Sequence, residues 1–354
     1  MPSAGWTWPR FPSPSPSRMP PRTALVTGAT GLLGHHVVER LRHDGWSVRA
    51  FVRDAARAGA LSRAGVELAT GDTLEPSGFA RAARGCDVVF HAAAVITPRG
   101  GWEAFQRPNV EGTRNAIAAA SGARARLVHV SSVAVYGEAG RYSADGRPTD
   151  ESMELGHIPD NAFYARSKRE SEALVFEAQQ AGRLWATAVR PSVLYGPFDR
   201  QFVPRLARLL RRGFAPVISG GRTTLAVVHA ANVADGMVRA AATDVADGRA
   251  YNLANDFDVT SAEFFTRAGE GLGTRVRIVS VPYLAARMGM GAFKSVAPLL
   301  LGDRFSAVSS GSLDFLARNN PFSSERARRE LGWDPQIHPE QGVADSFRWW
   351  ATHH

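Results

Sequence analysis

A tyrosine and a lysine stand four positions apart in the run Tyr164-Ala165-Arg166-Ser167-Lys168. On a helix this spacing places the phenol and the ammonium on one face, one turn apart. A tyrosine at its reference pKa of about 10 is a poor acid–base catalyst at neutral pH. A nearby ammonium favours the phenolate and is expected to lower the pKa of Tyr164. The pair therefore predicts a centre for proton transfer.

Chance is a poor explanation for this pair. The 354 residues include 6 tyrosines and only two lysines, Lys168 and Lys294. An accidental Tyr-x-x-x-Lys would arise with a probability of roughly 0.03. Ser132 supplies a third group, because it follows the predicted strand Leu127–Ser131 and its hydroxyl can donate a hydrogen bond to a substrate oxygen.

A glycine-rich turn follows the first predicted strand, Thr23–Thr27, and leads into a helical pattern. Gly28 allows a tight turn, Gly31 lets the backbone approach a pyrophosphate, and Gly34 lets the helix pack close to the strand. The phosphates would sit at the helix N-terminus, where unpaired N–H groups point outward. No Gly-Lys-Ser/Thr is present, so the turn predicts a dinucleotide site rather than an NTP-hydrolysing loop. The same predicted site includes Thr30, Leu32 and Leu33.

These groups together predict hydride transfer between a nicotinamide and a carbonyl or alcohol carbon. In a reduction, hydride would pass to the carbonyl carbon, Tyr164 would give its proton to the oxygen, and Ser132 would stabilise the developing charge. Lys168 could also hold the nicotinamide ribose, and the positive nicotinamide of the oxidised cofactor would further favour the phenolate.

The end of the second strand bears on the choice of cofactor. NAD sites place an acidic residue there for the ribose hydroxyls, whereas NADP sites place a cation for the 2′-phosphate. The chain has Val52-Arg53-Asp54 at this point. Arg53 favours NADP(H), and Asp54 keeps NAD(H) as the alternative.

Short apolar runs alternate with helical stretches from Thr23 onward, which is typical of an α/β Rossmann-type fold with a doubly wound parallel sheet. Residues 1–21, rich in Pro and Ser, are predicted to be a disordered extension, with Met19 as a possible alternative start. Residues 22–190 are predicted to form the NAD(P)-binding domain. Residues 191–354 are predicted to be mainly a smaller substrate-binding lobe, with some segments returning to the sheet. The predicted strands are Thr23–Thr27, Ser47–Val52, Val66–Thr70, Asp87–Phe90, Leu127–Ser131 and Thr187–Arg190, followed in the lobe by Leu225–Val228, Tyr251–Leu253 and Arg275–Val281; the lobe helices are at about Ala230–Ala242 and Ser261–Gly271.

Composition excludes several other classes of protein. A single cysteine, Cys86, rules out a disulfide within the chain and favours a cytoplasmic location. The net charge of +9 comes with no zinc-finger or RNA-binding signature, so no nucleic-acid partner is expected. No apolar run is long enough for an integral membrane segment; Val281–Leu301 could be a buried helix, a substrate lid or a surface that touches lipid. No metal site is evident: His35 and His36 are expected on the first helix as packing or surface residues, and His91 beside the cofactor.

The chain resembles the extended short-chain dehydrogenase/reductase family, in its epimerase-like branch, from about Thr23 to Trp349. The resemblance implies contacts to the adenine from Asp72 and to the nicotinamide from Pro191 and Val193. It also implies that Ala92 and Ala93 line the adenosine side. The other cofactor contacts that it implies are Thr73, Ala94, Asn109, Ser131 and Ser192. The matching motifs are TGATGLLG (Thr27–Gly34), GD (Gly71–Asp72), HAAA (His91–Ala94), NVEGTRNA with Asn109, SSVAVYG (Ser131–Gly137), YARSK (Tyr164–Lys168), RPSVLYGP (Arg190–Pro197) and RARRELGWDP (Arg326–Pro335).

The resemblance leaves the substrate class open between alternatives. Members similar to nucleotide-sugar epimerases carry an arginine where this chain has Leu225, and Arg222 is out of register. The Val52-Arg53 pair instead resembles dihydroflavonol-reductase and 3β-hydroxysteroid-dehydrogenase relatives, which act on bulky apolar molecules. We therefore expect a small-molecule ketone or alcohol as the substrate. The alternatives are a nucleotide-sugar epimerase or dehydratase with tightly bound NAD, and a non-catalytic NADPH sensor.

The resemblance also implies a homodimer, formed through the two long helices around Trp102–Ser121 and Asn161–Ala181.

Overall fold

The protein is described here by a computed structural model that covers Phe11 and residues 22–96, 100–140, 146–288 and 315–354. Eleven strands are present in these ranges. They are β1 (Thr23–Thr27), β2 (Ser47–Val52), β3 (Glu67–Thr70), β4 (Val88–His91), β5 (Arg126–Val130), β6 (Ala186–Pro191), β7 (Val193–Tyr195), β8 (Phe214–Ile218), β9 (Val227–His229), β10 (Ala250–Leu253) and β11 (Arg277–Val281).

Seven strands form one parallel sheet in the order β10-β6-β5-β4-β1-β2-β3. The order reverses direction between β1 and β4, where a doubly wound fold binds its ligand. The central strands are apolar on both faces, because helices cover both sides of the sheet. The predicted fold class is confirmed.

The helices cover the sheet in two layers. The first layer, α1 and α8, shares a core with one face through Val37 and Met237. The second layer, α3, α5 and α6, packs on the other face through Phe79, Ile117 and Val175. The helices are α1 (Leu32–His43), α2 (Gly59–Arg63), α3 (Pro76–Ala83), α4 (Glu103–Phe105), α5 (Gly112–Ala123), α6 (Phe163–Gln180), α7 (Phe202–Leu210), α8 (Ala230–Ala242), α9 (Ser261–Gly271), α10 (Glu325–Leu331) and α11 (Pro339–His353).

The smaller lobe has its own apolar core. It joins α7, α9 and α11 to two pairs of parallel strands, β7–β9 and β8–β11. Phe264 and Phe347 lie at its centre, fully buried. Leu225 belongs to the same core and is 1% exposed.

Most predicted elements lie within one or two residues of the observed ones, but three features differ. The strands β7 and β8 were not predicted. The predicted lobe strand Tyr251–Leu253 is β10, which is the edge strand of the main sheet. The predicted helix Trp102–Ser121 is interrupted by a π-helical turn over Gln106–Glu111, since Pro108 has no N–H to donate to an α-helical ladder.

Two regions singled out in the sequence fall mostly outside the described residues. Of the predicted disordered extension, only Phe11 is described; it is buried against Ala231 and Ile337, which differs from the prediction at that residue. Of the apolar stretch 281–301, residues 281–288 are described. No helix within the described ranges combines the length and apolarity needed to cross a membrane.

Candidate active site

The predicted site residues converge on one edge of the main sheet. Gly28 follows β1, Ala92 follows β4, Ser131 follows β5 and Ser192 follows β6. Because these four strands are adjacent and parallel, their carboxyl ends meet. The sheet thus brings together the glycine turn, the HAAA loop and the two serines that follow β5, Ser131 and Ser132.

The glycine turn leaves no space for side chains. Gly28 has a φ of +68°, and the Gly31 N–H donates to its carbonyl oxygen at 2.8 Å. A Cβ on Gly34 would lie 2.2 Å from the same oxygen, and a Cβ on Gly28 would lie 2.8 Å from the backbone of Ala92 and Ala93. Helix α1 then starts at Leu32 with no side-chain cap in the described chain and no acid in its first turn. Its free N–H groups fit an anionic pyrophosphate.

Arg53 and Asp54 differ in their availability. Both are exposed after β2. The Asp54 carboxylate accepts the Ala56 N–H at 2.9 Å and lies 3.8 Å from the guanidinium of Arg57. No carboxylate forms an ion pair with Arg53 within the described ranges. Arg53 is therefore the group free to bind a phosphate.

The turn after β3 holds Asp72 and Thr73 at the same edge. The Asp72 carboxylate accepts the Leu74 N–H at 2.9 Å, and the Thr73 carbonyl accepts from the Asn115 side chain at 2.8 Å. Both residues are half-buried. The turn is rigid, as a contact surface for an adenine ring requires.

Asn109 lies beneath the site rather than on its surface. Its side chain is 2% exposed; Nδ2 donates to the Val95 carbonyl at 3.0 Å and to the Ser167 hydroxyl at 2.9 Å, while Oδ1 accepts the Val95 N–H at 2.8 Å. Asn109 thus ties the loop after β4 to α6. These bonds give Asn109 a positioning role for the loop, and its direct contact with the cofactor stays a prediction.

The loop after β4 is also held in place by a hydrogen bond to the neighbouring strand β1. The Ala93 N–H donates to the Thr27 hydroxyl at 3.1 Å, and that hydroxyl lies 3.0 Å from Nδ1 of His91. His91 is 1% exposed, and burial lowers its pKa to about 3, so the ring is neutral. Ala92 and Ala93 are half-buried and Ala94 is exposed, so all three present surface to the cleft.

The residues around the end of β6 complete the rim of the cleft. Pro191 is buried, while Val193 is 37% exposed. The Ser192 hydroxyl donates to the Ala254 carbonyl at 3.0 Å. Ser131 is 1% exposed, and its hydroxyl has no hydrogen-bond partner in the described part of the chain.

Ser132, Tyr164 and Lys168 form one centre. The Ser132 hydroxyl lies beside the Tyr164 phenol, where it acts to lower the pKa of that phenol. Lys168 is 3% exposed, and its Nζ donates to the Val130 carbonyl at 2.7 Å. The ammonium is therefore held beneath the serine, at the end of β5, and not in bulk water.

The charges of this centre differ from the prediction. Burial raises the pKa of Tyr164, and the Ser132 hydroxyl only partly offsets the rise. Burial also lowers the pKa of Lys168 to about 8, against an opposing effect of Glu172. In the protein alone the net shift of the Tyr164 pKa is therefore opposite in direction to the predicted one, because desolvation of the phenol dominates.

A buried ion pair behind the centre was not predicted. Glu172, one turn after Lys168 on α6, accepts two hydrogen bonds from Arg190 of β6, at 2.5 and 3.0 Å. Arg190 also donates to the Tyr136 hydroxyl at 3.0 Å, which donates to Oδ1 of Asn252 at 2.9 Å. The signal in the sequence was the position of Glu172 on the same helix face as Lys168, a carboxylate where a buried face needs a partner.

Asn252 joins this chain of hydrogen bonds to two segments that pair with each other outside the main sheet, around Thr149 and Ser323. Its Nδ2 donates to the carbonyls of Thr149 and Ser323, at 3.3 and 3.2 Å, and its backbone N–H donates to the Glu151 carboxylate at 2.7 Å. In the described ranges no group of three or more His, Cys, Asp and Glu side chains is arranged to hold a metal ion.

Comparison with known proteins adds four findings. A family model described as the NAD dependent epimerase/dehydratase family matches residues 24–254. A 4-hydroxy-2-methyl-3-oxo-4-farnesyl-3,4-dihydroquinoline-1-oxide ketoreductase from Stigmatella aurantiaca is 32% identical over 92% of this chain and 95% of its own. A 2-alkyl-3-oxoalkanoate reductase from Shewanella oneidensis is 30% identical over 90% of this chain and 84% of its own. The crystal structure of gox2253 matches with a TM-score of 0.75 and 27% identity, over 94% of this chain and 98% of that one.

Proposed function

Since the chain belongs to the NAD-dependent epimerase/dehydratase family, we propose that it is a reductase for a bulky apolar ketone, or a dehydrogenase for the matching alcohol. The observation that carries the proposal is that Ser132 lies beside the Tyr164 phenol and follows the strand whose Val130 carbonyl accepts a hydrogen bond from the buried Lys168. The cofactor supplies or takes up the hydride. A binding protein that only senses the cofactor would have no use for this pair.

The chain's own groups account for the proton. Because the pKa of Tyr164 is raised, the phenol keeps its proton at neutral pH and can give it to a ketone oxygen as negative charge develops there. Ser132 donates a hydrogen bond to the same oxygen. Lys168 places positive charge at the end of β5, where it stabilises the phenolate that remains.

Three exposed apolar side chains support an apolar substrate. Ile96 follows β4 and is 47% exposed, and Val193 follows β6 and is 37% exposed. Leu155, 41% exposed, lies in the loop whose Gly156 N–H donates to the Tyr136 carbonyl at 3.0 Å. The names of the two relatives, a farnesylated quinoline oxide ketoreductase and an alkyl-oxoalkanoate reductase, agree with such a substrate.

We propose NADP(H) as the preferred cofactor, with Arg53 binding the 2′-phosphate. The support is the free guanidinium of Arg53 and the engagement of Asp54 with its own turn. Fluorescence titration of NADPH and NADH tests this proposal. Arg53→Ala should weaken NADPH binding at least about 10-fold and leave NADH unchanged; tighter NADH binding by the unaltered protein would refute it.

Tyr164→Phe tests the reaction. It should lower turnover by about 10²- to 10⁴-fold while NADPH still binds. Tyr251→Phe is the matched control, because that phenol contacts Glu330 at the far edge of the sheet, at 3.0 Å. The assay compares net NADPH oxidation on apolar ketones with conversion of nucleotide sugars without net cofactor change. Conversion of nucleotide sugars would identify an epimerase. If neither the ketones nor the nucleotide sugars were converted, the protein would instead be a non-catalytic NADPH sensor.

We also propose that the protein is a homodimer paired through α5 and α6, which rests on the family resemblance alone. Light scattering of the purified protein would give its mass in solution, and a monomer would refute this proposal.

A further inference from the structure

The net charge of the protein is concentrated in two segments of the smaller lobe. Residues 200–222 and 272–288 contain nine arginines and no aspartate or glutamate. The whole chain has 42 basic and 33 acidic residues, so the 33 basic residues elsewhere are matched by the 33 acidic ones. The nine arginines are all exposed: Arg200, Arg205, Arg208, Arg211, Arg212, Arg222, Arg275, Arg277 and Arg287.

The fold brings these segments together. β8 and β11 are parallel partners, with Phe214 opposite Arg277, and the Arg277 N–H donates to the Gly213 carbonyl at 2.9 Å. Arg212 and Arg275 each precede one of the strands by two residues, so the two flank the same end of the pair. No carboxylate forms an ion pair with any of the nine arginines in the part of the chain that the structure describes. The nearby Asp199 is buried and instead caps α7.

Large apolar side chains are exposed on the same two segments. Phe214 is 42% exposed and Val279 is 39% exposed, both on the uncovered side of the strand pair. Leu284 and Met288, in the helical residues 283–288, are 69% and 74% exposed. These four are half of the eight large apolar side chains exposed in the described ranges. We call the exposed side chains on and beside the β8–β11 pair, together with those that follow β11, the basic-apolar face; they are Arg212, Phe214, Arg275, Arg277, Val279, Leu284 and Met288.

We propose that the basic-apolar face docks the protein on an anionic lipid surface. Arginines without carboxylates are drawn to anionic headgroups, and exposed Leu, Met and Phe side chains gain by entering the boundary with the acyl chains. A nucleic acid would be bound through several stacked aromatic rings or base edges, and this face offers one aromatic ring, Phe214, among three aliphatic side chains. The proposal concerns attachment to the surface and does not depend on the identity of the substrate.

Sedimentation with lipid vesicles tests the proposal on the full chain. The protein should bind vesicles of equimolar phosphatidylcholine and phosphatidylglycerol, bind phosphatidylcholine alone far less, and be released by salt. The triple variant Arg212→Gln, Arg275→Gln and Arg277→Gln should bind about 100-fold more weakly. The pair Leu284→Ser and Met288→Ser should weaken binding even at low salt.

A matched control neutralises three exposed arginines of the nucleotide-binding half, Arg63→Gln, Arg81→Gln and Arg124→Gln, and should bind vesicles like the original chain. NADPH oxidation on a water-soluble ketone should be equal in all these arginine variants, so loss of docking and loss of catalysis are separable. The proposal is overturned if anionic vesicles are not bound, if the control loses as much binding as the triple variant, or if DNA displaces the vesicles.

Discussion

Replacing Lys168 with methionine should abolish turnover and also remove a pH-dependent instability of the fold. Lys168 is 3% exposed, and burial lowers its pKa from 10.5 to about 8. The unfolded chain, with its ordinary lysine pKa, binds the proton more tightly. At pH 7 the folded protein therefore loses roughly 3 kcal/mol by keeping this ammonium charged.

The sign of the pH dependence follows from these two pKa values. The penalty is complete below about pH 8 and disappears towards about pH 10.5, where both states have lost the proton. Stability of the original chain relative to Lys168→Met should therefore rise by up to roughly 3 kcal/mol across that interval. The variant also leaves the Val130 carbonyl without its donor, which costs about 1–3 kcal/mol at every pH. Therefore only the pH dependence of the difference in unfolding free energy reports on the titration of Lys168.

Urea unfolding followed by tryptophan fluorescence measures the difference between about pH 7 and about pH 10. The other titrating groups are present in both proteins and cancel. His91 and His129, which face the same ammonium, have pKa values lowered far below this interval by burial and do not titrate in it. The reasoning would be refuted if the difference in unfolding free energy between the two proteins did not change with pH. It would also be refuted if the original chain became less stable relative to the variant as pH rose.

Three further predictions follow from close or buried contacts. Gly34→Ala places a Cβ 2.2 Å from the Gly28 carbonyl oxygen, so α1 must shift; unfolding free energy should fall by about 1–3 kcal/mol, with weaker NADPH binding by titration. Glu172→Gln leaves the guanidinium of Arg190 buried without its counter-charge and should cost about 3–5 kcal/mol in urea unfolding. Burial raises the pKa of Asp256 to about 6, so its contribution to stability is present at low pH and lost as pH rises through that value. Relative to Asp256→Asn, the original chain should lose up to roughly 3 kcal/mol between about pH 4 and about pH 7.

Each of these variants has a control in the same chain. Gly122→Ala in α5 meets no atom within 4 Å and should be neutral or slightly stabilising. Glu170→Gln breaks an exposed pair with Arg166 on the same helix as Glu172 and should cost less than about 1 kcal/mol. Asp258→Asn alters an exposed carboxyl two residues from Asp256. If a variant and its control lost the same unfolding free energy, burial of the replaced group would not be the cause of the destabilisation.

The sequence predicted the local structure of the site well, because each signal there is local. The glycine spacing of Thr27–Gly34 requires a tight strand-to-helix turn, and the helix bounds of α8 and α9 follow from apolar periodicity. The seven-stranded sheet was less predictable at its edge. β10 is four residues long, and its place beside β6 depends on pairing across some 60 residues of sequence.

The pKa values and the ion pairs of the site could not be predicted from the sequence, because they depend on how deeply each group is buried. The pKa of Tyr164 is set by how far α6 withdraws the phenol from water, which no spacing encodes. The pairing of Glu172 with Arg190 joins α6 to β6, and a helix pattern alone shows only that a carboxylate lies on a buried face. The uncovered face of β8 and β11 could not be predicted either, because β8 was not recognised as a strand and its pairing with β11 joins distant parts of the sequence.

Asn252 sets a limit on how this enzyme could be re-engineered. The side chain that accepts the hydrogen bond from the Tyr136 hydroxyl also donates to the Thr149 and Ser323 carbonyls. The bonds that support Glu172 of α6 and those that hold the segments around Thr149 and Ser323 therefore belong to one network. A loop transplant intended to change substrate choice must keep the stretch from Thr149 to Glu151, or it will loosen α6 as well. Substitution at the exposed side chains of Ile96 and Leu155 should disturb the fold least, provided that the backbone hydrogen bonds of their neighbours Val95 and Gly156 are kept.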